Sequence, residues 1–142
     1  MNDAKVVLQA GELTFSFLPS GDLYQATYGT TMINQLLSNS IDGALNNLFL
    51  RIHTESGIEA VPMLGVHSNS AVTHADNRVI WEGSDKGVDY KVLFTPTDTG
   101  AWFWDIQLQG EGILADVVYG QDIGIAHPGA VRTNEAYLSQ YI

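Results

Sequence analysis

Hydrogen-bonding side chains crowd the last two dozen residues of this sequence. The stretch YGQDIGIAHPGAVRTNEAYLSQYI carries Gln121, Asp122, His127, Arg132, Asn134, Glu135, Tyr137, Gln140 and Tyr141 around a Pro-Gly turn. Aromatic rings, amides, a carboxylate and a guanidinium are the groups that hold a sugar: planar faces stack on its ring, and paired donors and acceptors take its hydroxyls. The structural alternative is that Asp122, Arg132 and Glu135 knit a long loop to the body of the protein while the tyrosines pack beneath it. Polar loops usually satisfy themselves in this way. Composition alone leaves both readings open.

Other chemistries find less support. A glycosidase sets two carboxyls roughly 5–9 Å apart, one as acid and one as base or nucleophile. Asp105, Asp116 and Asp122 are the candidates in the richest region. Asp105 falls on the polar face of a strand, Asp116 borders one, and Asp122, directly after Tyr-Gly-Gln, is the most suggestive. Pairing cannot be read from one sequence, so no residue is assigned a catalytic role. His53, His67, His74 and His127 lack the spacing of a metal-ligand pair. His67 and His74 flank a turn, HSNSAVTH, and a small sugar epimerase using one of them with a carboxylate stands only by analogy. No G-x-S-x-G elbow occurs, and GTTMINQ lacks the lysine of a phosphate loop. No cofactor and no metal are expected.

The totals narrow the partners. Six basic against sixteen acidic residues give a net charge of −10 over 142 residues. Nucleic acid and anionic membranes are poor partners for such a field, whereas a neutral ligand remains open. Cysteine is absent, which fits a reducing compartment. The chain contains no apolar run of membrane-spanning length, and MNDAKVVLQAG lacks the basic and apolar regions of an export signal. A soluble, cytoplasmic domain is the expectation.

The elements that must position these groups repeat with a period of two. In AWFWDIQLQG, Trp102, Trp104, Ile106 and Leu108 point one way and Phe103, Asp105, Gln107 and Gln109 the other. LTFSFL repeats the pattern through Leu13, Phe15 and Phe17, and LNNLFLRIHT through Leu48, Leu50 and Ile52. Val79–Trp81 and Tyr90–Phe94 are predicted to form a hairpin around Gly83–Gly87. Further strands are expected over Val6–Gln9, Asp22–Tyr28, Glu59–Met63, Ala71–Ala75 and Ile113–Tyr119. MINQLLSN is surrounded by loop signals and is read as irregular. From Thr133 onward a short helix is predicted, with Thr133 as N-cap and Tyr137/Tyr141 and Leu138/Ile142 paired at i,i+4. The pattern specifies one all-β domain over residues 1–142: an antiparallel β-sandwich burying its tryptophans, with a short C-terminal helix.

Two tracts carry a resemblance. VVYGQDIGIAHPGAVRTNEAYLSQYI and FSFLPSGDLYQATYGTTMINQLLSNSIDGALNNLFLRIHT resemble the N-terminal β-domain of inverting glycoside phosphorylases and cyclic β-1,2-glucan synthases, classed as glycoside hydrolase family 94, and most of all the 1,2-β-oligoglucan phosphorylases. The resemblance implies a β-supersandwich similar to galactose mutarotase, of which this chain is the first part. It also implies a following (α/α)6 barrel that holds the general acid, and inorganic phosphate as the nucleophile acting on an oligosaccharide. The chain would then be an N-terminal fragment of a much larger enzyme, not catalytic alone, with the barrel as its partner. Arg132 would meet phosphate or sugar hydroxyls, Gln121, Asp122 and Asn134 would bind hydroxyls, and Tyr137 would stack on a ring. A sandwich stopped partway exposes strand edges, which predicts either a homodimer through those edges or a half that closes on itself. A free-standing carbohydrate-binding module, using exposed aromatics such as Phe103 or Tyr28, is the alternative.

Overall fold

Period-two alternation becomes antiparallel strand throughout the residues that the structure, a computed structural model, describes: 5–125. The strands in chain order are β1 (Val6–Ala10), β2 (Leu13–Phe17), β3 (Leu23–Tyr28), β4 (Thr31–Met32), β5 (Asn47–Thr54), β6 (Gly57–Pro62), β7 (Ala71–Ala75), β8 (Arg78–Asp85), β9 (Val88–Pro96), β10 (Trp102–Gln109) and β11 (Leu114–Gly120). No helix occurs among the described residues, so none there is long and apolar enough to cross a membrane. The helix predicted from Thr133 lies outside them.

The strands form three sheets, ordered β1-β2-β3-β4, β10-β9-β8-β7 and β11-β5-β6. The all-β, sandwich-like arrangement expected from the sequence holds, with the strands divided among three sheets instead of two layers. Two of the hairpins turn on residue pairs with positive φ, Asp76–Asn77 (53° and 58°) and Lys86–Gly87 (50° and 85°). Such turns follow the right-handed twist of the strands they join, so only those residues leave the ladder. The second turn corrects the predicted loop over Gly83–Gly87. The ladder continues to Asp85 opposite Val88 and includes Gly83 opposite Tyr90; glycine suits that strand position because a Cβ there would come 2.5 Å from the Tyr90 hydroxyl.

Aromatic side chains close the first two sheets on each other. Phe15 lies 4.7 Å from Phe94 and 5.3 Å from Trp102, and Phe17 lies 5.6 Å from Trp81, ring centre to ring centre. Trp104 completes the stack against Phe94 at 4.7 Å. Tilted and edge-on rings at these separations add to area burial that is already worth about 1.5–3 kcal/mol per large side chain. Trp102, Trp104 and Ile106 pack against this core as predicted. Leu108, the fourth inward position, sits at the rim and is 39% exposed. The third sheet adds Leu48, Leu50 and Ile52 to the same cluster.

One buried carboxylate holds the loops together. Asp22 is 2% exposed and accepts hydrogen bonds from Ser20 Oγ at 2.8 Å, Ala44 N at 3.0 Å and Val66 N at 2.9 Å. Gly65, with φ of 86°, must be glycine here, because a Cβ would fall inside that carboxylate. Asp22 thus serves the loops, and the strand expected to begin with it starts at Leu23.

Candidate functional site

The polar tract begins where β11 ends. Tyr119, paired in register with Leu48, places its ring 6.0 Å from Trp104 and so links the third sheet to the second. The Trp104 Nε1–H donates to its hydroxyl at 3.2 Å. That hydroxyl faces Asn46 Oδ1 at 3.3 Å and donates to Gln121 Oε1. Burial pushes the Tyr119 pKa above its ordinary value, against the opposing pull of tryptophan N–H donors. Asn46 is 4% exposed, and its Nδ2 makes no hydrogen bond among the described residues. Turning the amide over would let Asn46 donate to the Tyr119 oxygen instead.

Asp122 holds the chain through one of its oxygens. Its Oδ2 accepts from the backbone N–H groups of Gln35 and Leu36, each at 2.9 Å, and Gly124 N donates to Ile33 O at 2.9 Å. The tract is thereby tied to the irregular segment after β4. That segment has its own anchor in Asn34, which is 3% exposed. Asn34 Oδ1 accepts from Ala26 N at 2.8 Å, while Nδ2 donates to Tyr24 O and Leu36 O. A side chain that satisfies the edge of β3 replaces backbone pairing there, which is why MINQLLSN is irregular as predicted.

Gln121 and Asp122, with Asn34, Asn46, Trp102 and Trp104, line a cavity of about 10 Å³. A single water is the most such a space admits; a sugar ring does not fit. Of the predicted binding residues the structure therefore brings Gln121 and Asp122 together, in a closed corner where both have intramolecular partners. Arg132, Asn134 and Tyr137 lie outside the described residues.

The other carboxylates have different fates. Asp105 is exposed on the outward side of β10, as expected. Asp116, expected at a strand border, is instead central in β11, opposite Arg51 of β5. Arg51 Nε and Nη2 donate to Asp116 Oδ1 and Oδ2, both at 2.7 Å, and His53 Nε2 stands 3.3 Å from Oδ2. The guanidinium fork draws the Asp116 pKa down to about 2. Sequence reasoning missed this cluster. Its signal was the alternation that puts Arg51 and His53 on one face of β5, but the partner strand follows some sixty residues later. Among the described residues no group of three or more His, Asp or Glu side chains could hold a metal ion.

Residues 16–142 match the family model of the SOGP N-terminal domain. The chain belongs to that family. Over 135 residues, 95% of its length, it is 35% identical to a 1,2-beta-oligoglucan phosphorylase of Listeria innocua serovar 6a. The matched stretch is only 12% of that phosphorylase. The resemblance drawn from the two sequence tracts is thus borne out. In this SOGP N-terminal domain, the corner at Tyr119–Asp122 is a joint between sheets.

Proposed function

We infer that this chain is a non-catalytic N-terminal β-domain of a carbohydrate-active glycoside phosphorylase that acts on β-glucan oligosaccharides. A barrel domain of the same polypeptide would supply the general acid, and inorganic phosphate would be the nucleophile. The observation that carries this reading is the 35% identity that runs along 95% of the chain and covers 12% of a phosphorylase. The site geometry supports it: the suggestive carboxylate, Asp122, is bound to the backbone N–H groups of Gln35 and Leu36, a structural use of the group. Residues 1–142 act as one domain, cytoplasmic in location. Gln121 and Asp122 root the polar tract, and Arg132, Asn134 and Tyr137 border the substrate. The fork of donors on Arg132 suits phosphate or vicinal hydroxyls. Arg132→Ala in the complete polypeptide is expected to lower kcat/KM for phosphorolysis by about tenfold or more, the loss of one charge-assisted contact. A folded variant with unchanged kinetics dismisses the role of Arg132.

Exposed aromatics favour the second reading, a free-standing carbohydrate-binding module. Phe103 is 55% and Tyr28 51% exposed. Titration calorimetry of the chain with β-1,2-gluco-oligosaccharides separates the two: the module reading requires heat of binding that Phe103→Ala or Tyr28→Ala removes, and the domain reading requires none from those rings.

A further inference from the structure

Two outward sheet faces differ in kind. On the β7–β8–β9–β10 sheet, Glu82, Lys91 and Gln107 share one cross-strand row, and Asp89 and Gln109 the next. That side is mostly polar, as expected of an antiparallel sheet facing water, with Ile80, Leu93 and the exposed Phe103 as its apolar members. On the β11–β5–β6 sheet, register sets Phe49 between Val118 and Pro62, Arg51 between Asp116 and Ala60, and His53 between Leu114 and Ile58. Apart from Arg51, Asp116 and His53, and the buried Asn47 opposite Gly120 at one end, apolar groups hold this face. They are also open to solvent: Leu114 is 69% exposed, Ile58 56% and Val118 41%. The three polar groups bond to each other, through the two 2.7 Å contacts and the 3.3 Å one. A face whose charges already have partners can be covered without stranding one of them.

We propose that this face is the docking surface for a further segment of the same polypeptide, one presenting an apolar, uncharged layer to Leu114, Ile58, Val118 and Phe49. The proposal rests on the chain being one domain of a longer enzyme. Size and charge argue against a second copy as the occupant. Strands about 4.8 Å apart and same-side residues about 6.8 Å apart make this three-by-three patch roughly 200–300 Å². A stable interface between separate proteins needs about 800 Å² from each partner. Two chains of net charge −10 also repel each other. A tethered segment does not face the obstacle of size, because the tether supplies an effective concentration in roughly the millimolar range. The Listeria phosphorylase has such further chain, since the match spans 12% of it.

Backbone hydrogen exchange tests the proposal on the chain alone and on the complete polypeptide, each with and without the paired substitution Ile58→Lys and Leu114→Lys. In the complete polypeptide, exchange in β6 and β11 is expected to slow by roughly tenfold or more relative to the chain alone, and the paired substitution to abolish the slowing. The pair should leave the melting temperature of the chain alone unchanged. Slowing that survives the substitution, or that is confined to the other sheets, overturns the docking face while phosphorolysis by the complete polypeptide leaves the domain reading standing. Absent phosphorolysis defeats that reading, and the exchange result still judges the face. Concentration-dependent sedimentation of the chain that the substitution abolishes gives the face to a second copy and overturns the proposal.

Discussion

The β2–β9 contact and the β5–β11 pair use the same alternating pattern to opposite ends. Phe15 and Phe17 face Phe94 across two sheets and are buried to within 2%, so alternation there makes a core. In β5, Leu48, Leu50 and Ile52 do the same on one side, while Phe49 on the other side lies beside the exposed Val118. The difference separates what holds the fold from what the fold offers. Rings enclosed from both sides stabilise, whereas a half-covered sheet leaves apolar area for another partner.

The strongest way to break that distinction is to empty the enclosed side. Phe94→Ala removes a ring that touches Phe15, Phe17 and Trp104, and should cost about 3–5 kcal/mol in urea or thermal unfolding. A loss below about 1 kcal/mol would mean that the sheets do not close on those rings.

Buried carboxylates sharpen the comparison next. Asp22→Ala removes a carboxylate that is 2% exposed and leaves three part-buried donors without it, so about 3 kcal/mol is expected; Asp122→Ala removes a half-buried carboxylate and leaves two part-buried N–H groups, and about 1–2 kcal/mol is expected. Equal losses would show that the tract's joint is as central to the fold as the loop hub. On the open face, Asp116 gives a pH signature. Its folded pKa is lowered to about 2 from 3.8, so its contribution is fully present above the unfolded value and is lost as pH falls through about 2. Carbon-detected titration of the Asp116 carboxyl should find that low value, and Arg51→Gln should raise it toward the ordinary range. The smallest effect belongs to Leu114→Lys, which should change the stability of the chain alone by no more than about 0.5 kcal/mol; a larger loss would show that Leu114 already packs within this chain.

Much of the fold was legible because alternation reports directly which side of a strand is inside. Trp102, Trp104, Leu48, Leu50 and Ile52 were placed on the correct face, and Ala71–Ala75 was found at its observed bounds. What escaped depended on partners distant in sequence. Gly83 carries a turn residue's identity, but the Tyr90 hydroxyl across the ladder explains it. Asp116 looked like a strand end until register set it opposite Arg51. Asp122 drew attention for its neighbours in sequence, yet its actual partners are the backbone N–H groups of residues 35 and 36. Long-range pairing leaves no local mark, and a carboxylate's role is decided by what stands opposite it.

Sugar phosphate release is the most direct measure of whether this domain acts only as part of a longer enzyme. Purified chain incubated with β-1,2-gluco-oligosaccharides and inorganic phosphate should release none, and the complete polypeptide should release glucose 1-phosphate under the same conditions. Release by the chain alone, abolished by Asp122→Ala in a variant that remains folded, would contradict the account.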